Sequence, residues 1–475
     1  MQISINKNKR VLNDLFYAFS AQGISLLLSI TMSLLVPKLL NVEQFGYWQL
    51  FLFYAGYVGF FHFGLNDGIY LRYGGIEYNQ LNRPLLGAQF WLSFFVQLMI
   101  SLAIILYAWF NVVNENREFV IICTGIFLFT SNLNNYIGWI FQASNLVRKY
   151  SLSVIIQRFS FLISVLILLL YRNNNYHIYI LLFLFSGIVS LIYSVVIGHR
   201  IIFVKLIAFK TTISEFFANM AVGIKLTISN IASMLILGVG QFVVDRVWGI
   251  ETFGKYSLSI SLTMFFLLFI SQVSMVLFPA LRQASVQTQR QVYLFSRDFL
   301  SIFLSSIFLF YVPLNYLVGL WLPQYQESLR YLILFLPLAA FDGKMQVLTI
   351  TYLKVFRKEK QLLLINAVSL LISTILCLIG AYMLHKVEAV IVAMVVSVAV
   401  RGFIAEHYVA KLMQAKITKY WIVESVLVIV FVLTTWFLDP LIGFTSYLGI
   451  YLVYLFLHKE TVEKTFVQFK TIINI

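Results

Sequence analysis

Apolar runs long enough to cross a lipid bilayer recur along this whole chain, and no other feature constrains its folding as much. They fall at about 15–38, 47–70, 84–110, 119–143, 151–171, 177–198, 217–241, 255–281, 298–320, 328–350, 361–384, 388–409, 420–437 and 441–457. A helix rises ~1.5 Å per residue, so each run suffices for a hydrocarbon core of ~30 Å. Inside that core every backbone N–H and C=O must be satisfied within the chain, which a helix achieves by itself. No polar stretch exceeds roughly twenty residues, which leaves no room for a soluble domain. Only 11% of the 475 residues are charged, against about 25% in a soluble domain. The expected fold is all-α integral membrane, with about 14 transmembrane helices.

The net charge of +15 follows topology rather than a nucleic-acid partner. With the N-terminus inside, cytoplasmic segments hold 23 of the 34 Lys and Arg, outer segments together with the outer ends of spans hold seven, and Arg158, Lys225, Lys344 and Arg401 lie deeper within spans. That bias is the positive-inside signal, and it puts both termini in the cytoplasm. Trp48, Trp109, Trp248, Trp321 and Trp436 all fall near predicted outer edges, as an interfacial belt would. The first run, which follows MQISINKNKR, is too long for a signal-peptide core and has no small-residue cleavage site, so it reads as a retained helix. Cys123 and Cys377 sit in spans far apart and read as inert buried thiols.

An internal repeat organises the spans. VPKLLNVEQFGYWQL from Val36 aligns with VDRVWGIETFGKYSL from Val244, with Glu43/Glu251, Phe45/Phe253 and Gly46/Gly254 among the identities. The offset of 208 residues encloses six spans. An even number of crossings makes the halves parallel repeats about an axis along the membrane normal, with a candidate site between them. The expected division is 1–200 as an N-lobe, 201–410 as a C-lobe with the basic linker His199–Lys210 at its start, and 411–475 as a C-terminal helix pair with a cytoplasmic tail.

At this repeat the chain resembles Wzx-type polysaccharide flippases, of the MOP superfamily that also holds MATE exporters and lipid II flippases. The resemblance rests on Pro37-Lys38-Leu39-Leu40, Glu43-Gln44-Phe45-Gly46, Phe63-Gly64-Leu65 and Arg72. The second half adds Gly223-Ile224-Lys225, Asn230, Asp245-Arg246, Phe253-Gly254-Lys255-Tyr256-Ser257 and Phe278-Pro279-Ala280-Leu281. His62 stands where the family often has an acidic residue. The similarity covers most of 10–285 and implies a V-shaped transporter of two six-helix lobes, working by alternating access in the bacterial plasma (inner) membrane. It implies an undecaprenyl-pyrophosphate-linked oligosaccharide as substrate, destined for O-antigen, capsule or a related polymer, with a polysaccharide polymerase and glycosyltransferases as partners. By the same analogy the last helix pair would hold the lipid tail.

Such a substrate needs cations for its pyrophosphate, amides or hydroxyls for its sugars, and an apolar cleft for its tail. Lys225, with Ser229 and Ser233 at four-residue steps, is a cation either facing a wet cavity or snorkelling to the interface. Arg401 and Lys344 are further cations, but Arg401, like Arg158, lies within reach of a cytoplasmic end and reads first as snorkelling. Ser131, Asn135, Gly138, Gln142 and Asn145 step by four and three, forming one polar stripe that either binds sugar or holds helices together. Asp342 shares a face with Gln346 and Thr349, beyond a kink expected at Pro337, and is a candidate ion-coupling carboxylate. Lys344, two residues on, points away from it. Asp67 is the other candidate, unless it only pairs with Arg72. His62 is a candidate for titration near neutrality, against a structural hydrogen-bonding role. Asp245-Arg246 reads as an intramolecular brace.

No Walker A, HExxH, clustered His/Cys or GxSxG pattern occurs, so no metal, cofactor or catalytic residue is expected. A MATE-like exporter of small amphipathic molecules is the competing reading, but span 1 carries no carboxylate beyond Asp14 at its start. A membrane polymerase or glycosyltransferase fits poorly, because every outer loop is short.

Overall fold

The computed structural model describes residues 20, 22–205, 208–415 and 418–473. The N-terminal basic stretch and Asp14 lie outside these residues. Eleven helices are long and apolar enough to cross a membrane among the described residues. They include α1 (Gln22–Leu39), α4 (Arg83–Asn111), α5 (Glu115–Ala143), α6 (Val147–Leu170) and α7 (Tyr176–Ile197). Further on come α11 (Val286–Trp321), α12 (Pro323–Val355), α13 (Glu359–Met383), α14 (Val387–Leu412) and α16 (Pro440–Leu457). Three more segments stand where the remaining spans are expected. One is α2 (Val42–Tyr57) continued by α3 (Leu65–Tyr73), and another is the shorter apolar α15 (Thr418–Phe437). The third arises because Phe209–Gln283 is broken at Gly249 into α9 (209–248) and α10 (250–283). A short helix α8 (His199–Ile202) follows α7, and the C-terminal α17 (Lys459–Ile473) follows α16. The protein is a multi-pass, all-α membrane protein.

The repeat is visible in the local structure. Gly249 stands 208 positions after Asn41, and both mark the break between two helices. Asn41 caps α2 by accepting the Gln44 N–H at 2.8 Å, whereas Gly249 makes the break with φ 81°, a value glycine adopts without strain. Burial repeats too: Phe45/Phe253, Trp48/Tyr256 and Leu50/Leu258 are all buried, while Glu43 and Glu251 are exposed. Equivalent positions therefore face equivalent surroundings in the two halves.

The chain forms two compact units, Met1–Ile231 and Ala232–Ile475. In the first, α5 is central and packs on α2, α3, α4, α6 and α7. In the second, α12 packs on α11, α14 and α15, and α14 also packs on α13. Burial ranks the helices accordingly: α5, α12 and α14 are 61%, 78% and 56% buried over their apolar windows, against 22–33% elsewhere.

One expectation needs correction. Trp48 is not part of an interfacial belt: it is fully buried, stacked on Phe161 at 5.8 Å and edge-on to Phe183 at 6.0 Å. Trp109 and Trp321 are exposed as a belt requires. The α12 helix contains Pro337 and widens to a π-helical segment at Met345–Ile350. Both cysteines are free and buried.

Candidate functional site

In the first unit, a glycine seam brings α3 against the first half of α9. A Cβ on Gly68 would stand 1.9 Å from the Asn219 carbonyl oxygen, and one on Gly223 would stand 2.0 Å from that of Gly64. Only residues without a side chain permit this approach. Gly64 also needs φ 86°, and with Phe63 at φ 50° it makes the turn that starts α3. His62 accepts the Gly64 N–H at Nδ1, 3.0 Å away, and so supports that turn.

The seam carries the polar groups. Thr227 donates to Asp67 at 2.5 Å. Arg72 does not pair with Asp67. It reaches Glu215 at 2.9 Å and the Asn219 side-chain oxygen at 2.7 Å, while the Asn219 amide donates to Gln89 at 2.7 Å. The reason is geometric: Asn219, Gly223 and Thr227 recur every four residues on one face of α9, and α3 lies along it. Lys225, two residues from Gly223, points elsewhere. It is exposed and makes no ion pair among the described residues, while Ser229 is buried.

The stripe on α5 divides. Asn135 donates to Ser131 at 3.5 Å, and both are only partly covered. Gly138 lies under the Tyr150 ring of α6. Asn145 falls off the stripe, because α5 ends at Ala143 and Asn145 takes φ 57°. The neighbouring Asn132 and Asn134 clamp helices. Asn132 donates to Gln97 on α4 at 2.8 Å, and Asn134 bonds Ser190 at 3.1 Å and Ser194 at 2.6 Å on α7.

In the second unit, Asp342 and Lys344 diverge as their two-residue spacing requires. Asp342 bonds Arg401 of α14 and accepts from Gln346 at 2.8 Å. Arg401, buried, also donates to Ser233 at 2.9 Å. Lys344 is held by Glu424 of α15 at 2.8 Å and Glu406 of α14 at 2.9 Å, and lies 5.3 Å above the Trp421 ring. Glu406 and Glu424 were not anticipated from sequence. Their signal is plain: a carboxylate inside an apolar run needs a cation, and Lys344 needed an anion. A cavity of about 20 Å³ adjoins Lys344 and Glu424, with Ser301 and Ser305 also on its wall; a site of that volume holds one water. No cluster of three or more His, Cys, Asp or Glu suited to a metal occurs among the described residues. Of the second-half family motif, the Phe278, Pro279 and Ala280 side chains lie outside the described ones.

The family described as polysaccharide biosynthesis protein matches residues 11–285. Among solved structures the chain is similar to the lipid II flippase MurJ in an inward closed conformation. That match has 11% identity and a TM-score of 0.65, covering 95% of this chain and 100% of that one. It is similar as well to an outward-facing multidrug resistance MATE family transporter of the MOP superfamily, at 13% identity and TM-score 0.57, covering 86% and 96% of the two chains. A third likeness is to MATE in complex with MaL6, at 12% identity and TM-score 0.57, with coverage of 86% and 96%. Identities this low establish a shared fold. No protein of curated function matches the chain by sequence.

Proposed function

This chain belongs to the polysaccharide biosynthesis protein family, and from that premise we propose that it flips an undecaprenyl-pyrophosphate-linked oligosaccharide, an O-antigen or capsule repeat unit, from the inner to the outer leaflet of the bacterial plasma membrane by ion-coupled alternating access. The family is one of transporters and flippases, and the chain is not an enzyme. Lipid II flippase MurJ, whose name states a lipid-linked cargo, supports the same class of substrate here.

One observation carries the reading further. Of the cations sought for the pyrophosphate, Arg401 and Lys344 spend their charge on Asp342, Glu406 and Glu424. Lys225 keeps its charge free of any ion pair among the described residues. A cation in an apolar helix without a protein counter-ion suits an anion that arrives with the substrate. Asn135 and Gln142, both partly exposed, supply amide groups for the sugars, whereas the Ser229 hydroxyl is buried. Asp67 and Asp342, each with a hydrogen-bonding neighbour, and His62 are candidates for ion coupling.

The test is translocation of the lipid-linked oligosaccharide in proteoliposomes, read by access of a sugar-cleaving enzyme from the outside. Lys225→Gln should slow it about ten-fold or more, since a charged hydrogen bond contributes about 1.5–3 kcal/mol. Lys225→Arg should keep most of the rate because it keeps the charge. Normal transport by Lys225→Gln moves the role to another cation, and no translocation by the unaltered protein removes the proposal.

The expected topology has both termini cytoplasmic, 285–295 and 355–360 inside, and 322–327 outside. Because Cys123 and Cys377 are buried, single added cysteines can be read against a low background. On intact cells an impermeant maleimide should label a cysteine at position 324 and spare one at position 290. The opposite pattern would invert the orientation.

A further inference from the structure

We propose that Glu406, Glu424 and Lys344 form a proton-binding site in the second unit, in which Glu406 holds one exchangeable proton beside the Lys344–Glu424 pair, so that the coupling ion is H⁺. The proposal rests on the chain being an ion-coupled carrier, but not on what it carries.

The charge balance comes first. Lys344 donates to both Glu424 oxygens, at 2.9 and 2.8 Å, and is 2.9 Å from Glu406 Oε2. These three side chains come from α12, α14 and α15 and are 3%, 1% and 8% exposed. One ammonium thus faces two carboxylates away from solvent. If all three are charged, an uncompensated negative charge remains in a medium where buried charge is expensive. Neighbouring groups do not cancel it. Arg297 on α11 is matched by Asp298 at 2.7 Å, and Arg401 on α14 is matched by Asp342. Tyr293 on α11, whose hydroxyl is buried without a hydrogen-bond partner, and Tyr352, which donates to the Gln289 carbonyl at 2.9 Å, bring no cation. Trp421 on α15 contributes only a donor.

The atom that takes the proton can be named. Glu406 Oε2 already accepts from Lys344 and from the Trp421 indole N–H at 2.9 Å. Glu406 Oε1 is buried and has no hydrogen-bond partner. A buried carboxylate oxygen without a donor is the least stabilised acceptor of the set, and adding H⁺ there forms a neutral O–H. The triad then goes from one net negative charge to none. The water-sized cavity beside Lys344 and Glu424 gives room for a single water on the Glu424 side of the triad.

The same geometry selects the ion. An ammonium at the centre repels a sodium ion, whereas a proton bonds covalently to oxygen and leaves no free charge. Binding it also changes the bracing. Once Glu406 is neutral, Lys344 is drawn to Glu424, so the proton resets the balance between α14 and α15 around α12.

The experiment uses the purified full-length protein without any lipid-linked sugar. Infrared difference spectra between low and high pH report protonated buried carboxyls, and a pH indicator in weak buffer counts protons released. We expect a carboxyl band in the unaltered protein that disappears at high pH and is unmoved by added sodium chloride. Glu406→Gln should abolish it and lower release by one proton per chain. Glu424→Gln, the second route if Glu406→Gln fails to fold, should abolish it as well, and Asp342→Asn should preserve it. Survival of the band in both glutamine variants, or its loss in Asp342→Asn alone, overturns the proposal, as does sodium displacement of the proton. Since no sugar is present, failure of the titration leaves the flippase reading intact, and failure of oligosaccharide transport leaves the titration to stand or fall by itself.

Discussion

Replacing Lys344 with methionine is expected to destabilise the protein by about 3–5 kcal/mol, the loss that follows when one member of a buried ion pair is removed. Methionine fills much of the same volume, so the effect is electrostatic. It strands Glu406 and Glu424, both buried, without their cation. Thermal melting in detergent should show a lowered midpoint. The loss should shrink as the pH is lowered, because protonating the stranded carboxyls removes the buried charge. Combining Lys344→Met with Glu406→Gln and Glu424→Gln should recover most of the stability, since the expense lies in unpaired charge rather than in a missing contact. A single variant that melts like the unaltered protein at neutral pH would show that the triad is not closed as described.

The glycine seam should respond almost as strongly, for a steric reason. Gly68→Ala places a methyl 1.9 Å from the Asn219 carbonyl oxygen, and Gly223→Ala places one 2.0 Å from the Gly64 oxygen. Backbone cannot yield as a side chain can, so α3 and α9 must separate. That disturbs the Thr227–Asp67 bond and the contact of Arg72 with Glu215. Overpacking of this kind costs about 1–3 kcal/mol for each substitution. The double variant should lose less than the sum, because once the helices part the second methyl meets open space. Gly449 on α16, with nothing within 4 Å of a Cβ, is the control, and alanine there should be neutral or slightly stabilising. Equal melting of Gly68→Ala and Gly449→Ala would contradict the close approach.

Much of the fold was legible because membrane partition is a local property. Each crossing segment must be apolar over its own length and must satisfy its own backbone, so every span announces itself without reference to the others. The repeat at Val36 and Val244 was legible for a similar reason. Identical residues were retained where a helix break and the packing beneath it recur, and Asn41 and Gly249 fall at those breaks. Position within a span was less informative. Trp48 lay at a predicted outer edge yet packs among Phe161, Tyr179 and Phe183, because aromatic neighbours on α6 and α7 cover it.

The candidate site divides along the same line. Spacing alone separated Asp342 from Lys344, since two residues turn a helix by about 200°, and the structure sends them to Arg401 and to Glu424 and Glu406. The one-dimensional pattern pointed Asp67 toward Arg72, its nearest cation in sequence. The fold instead gives Arg72 to Glu215 and Asp67 to Thr227, which lies 160 positions away.

By itself, then, the sequence determined the class of protein, the set of crossing helices, the repeat and the charges that lie among apolar residues. All of these follow from free energies that each segment settles with the membrane independently. Only the tertiary structure decided which charges are already neutralised and which remain open. Partners such as Lys344 and Glu424, 80 positions apart, meet because α12 and α15 pack together, and packing between distant helices leaves no mark in either one alone.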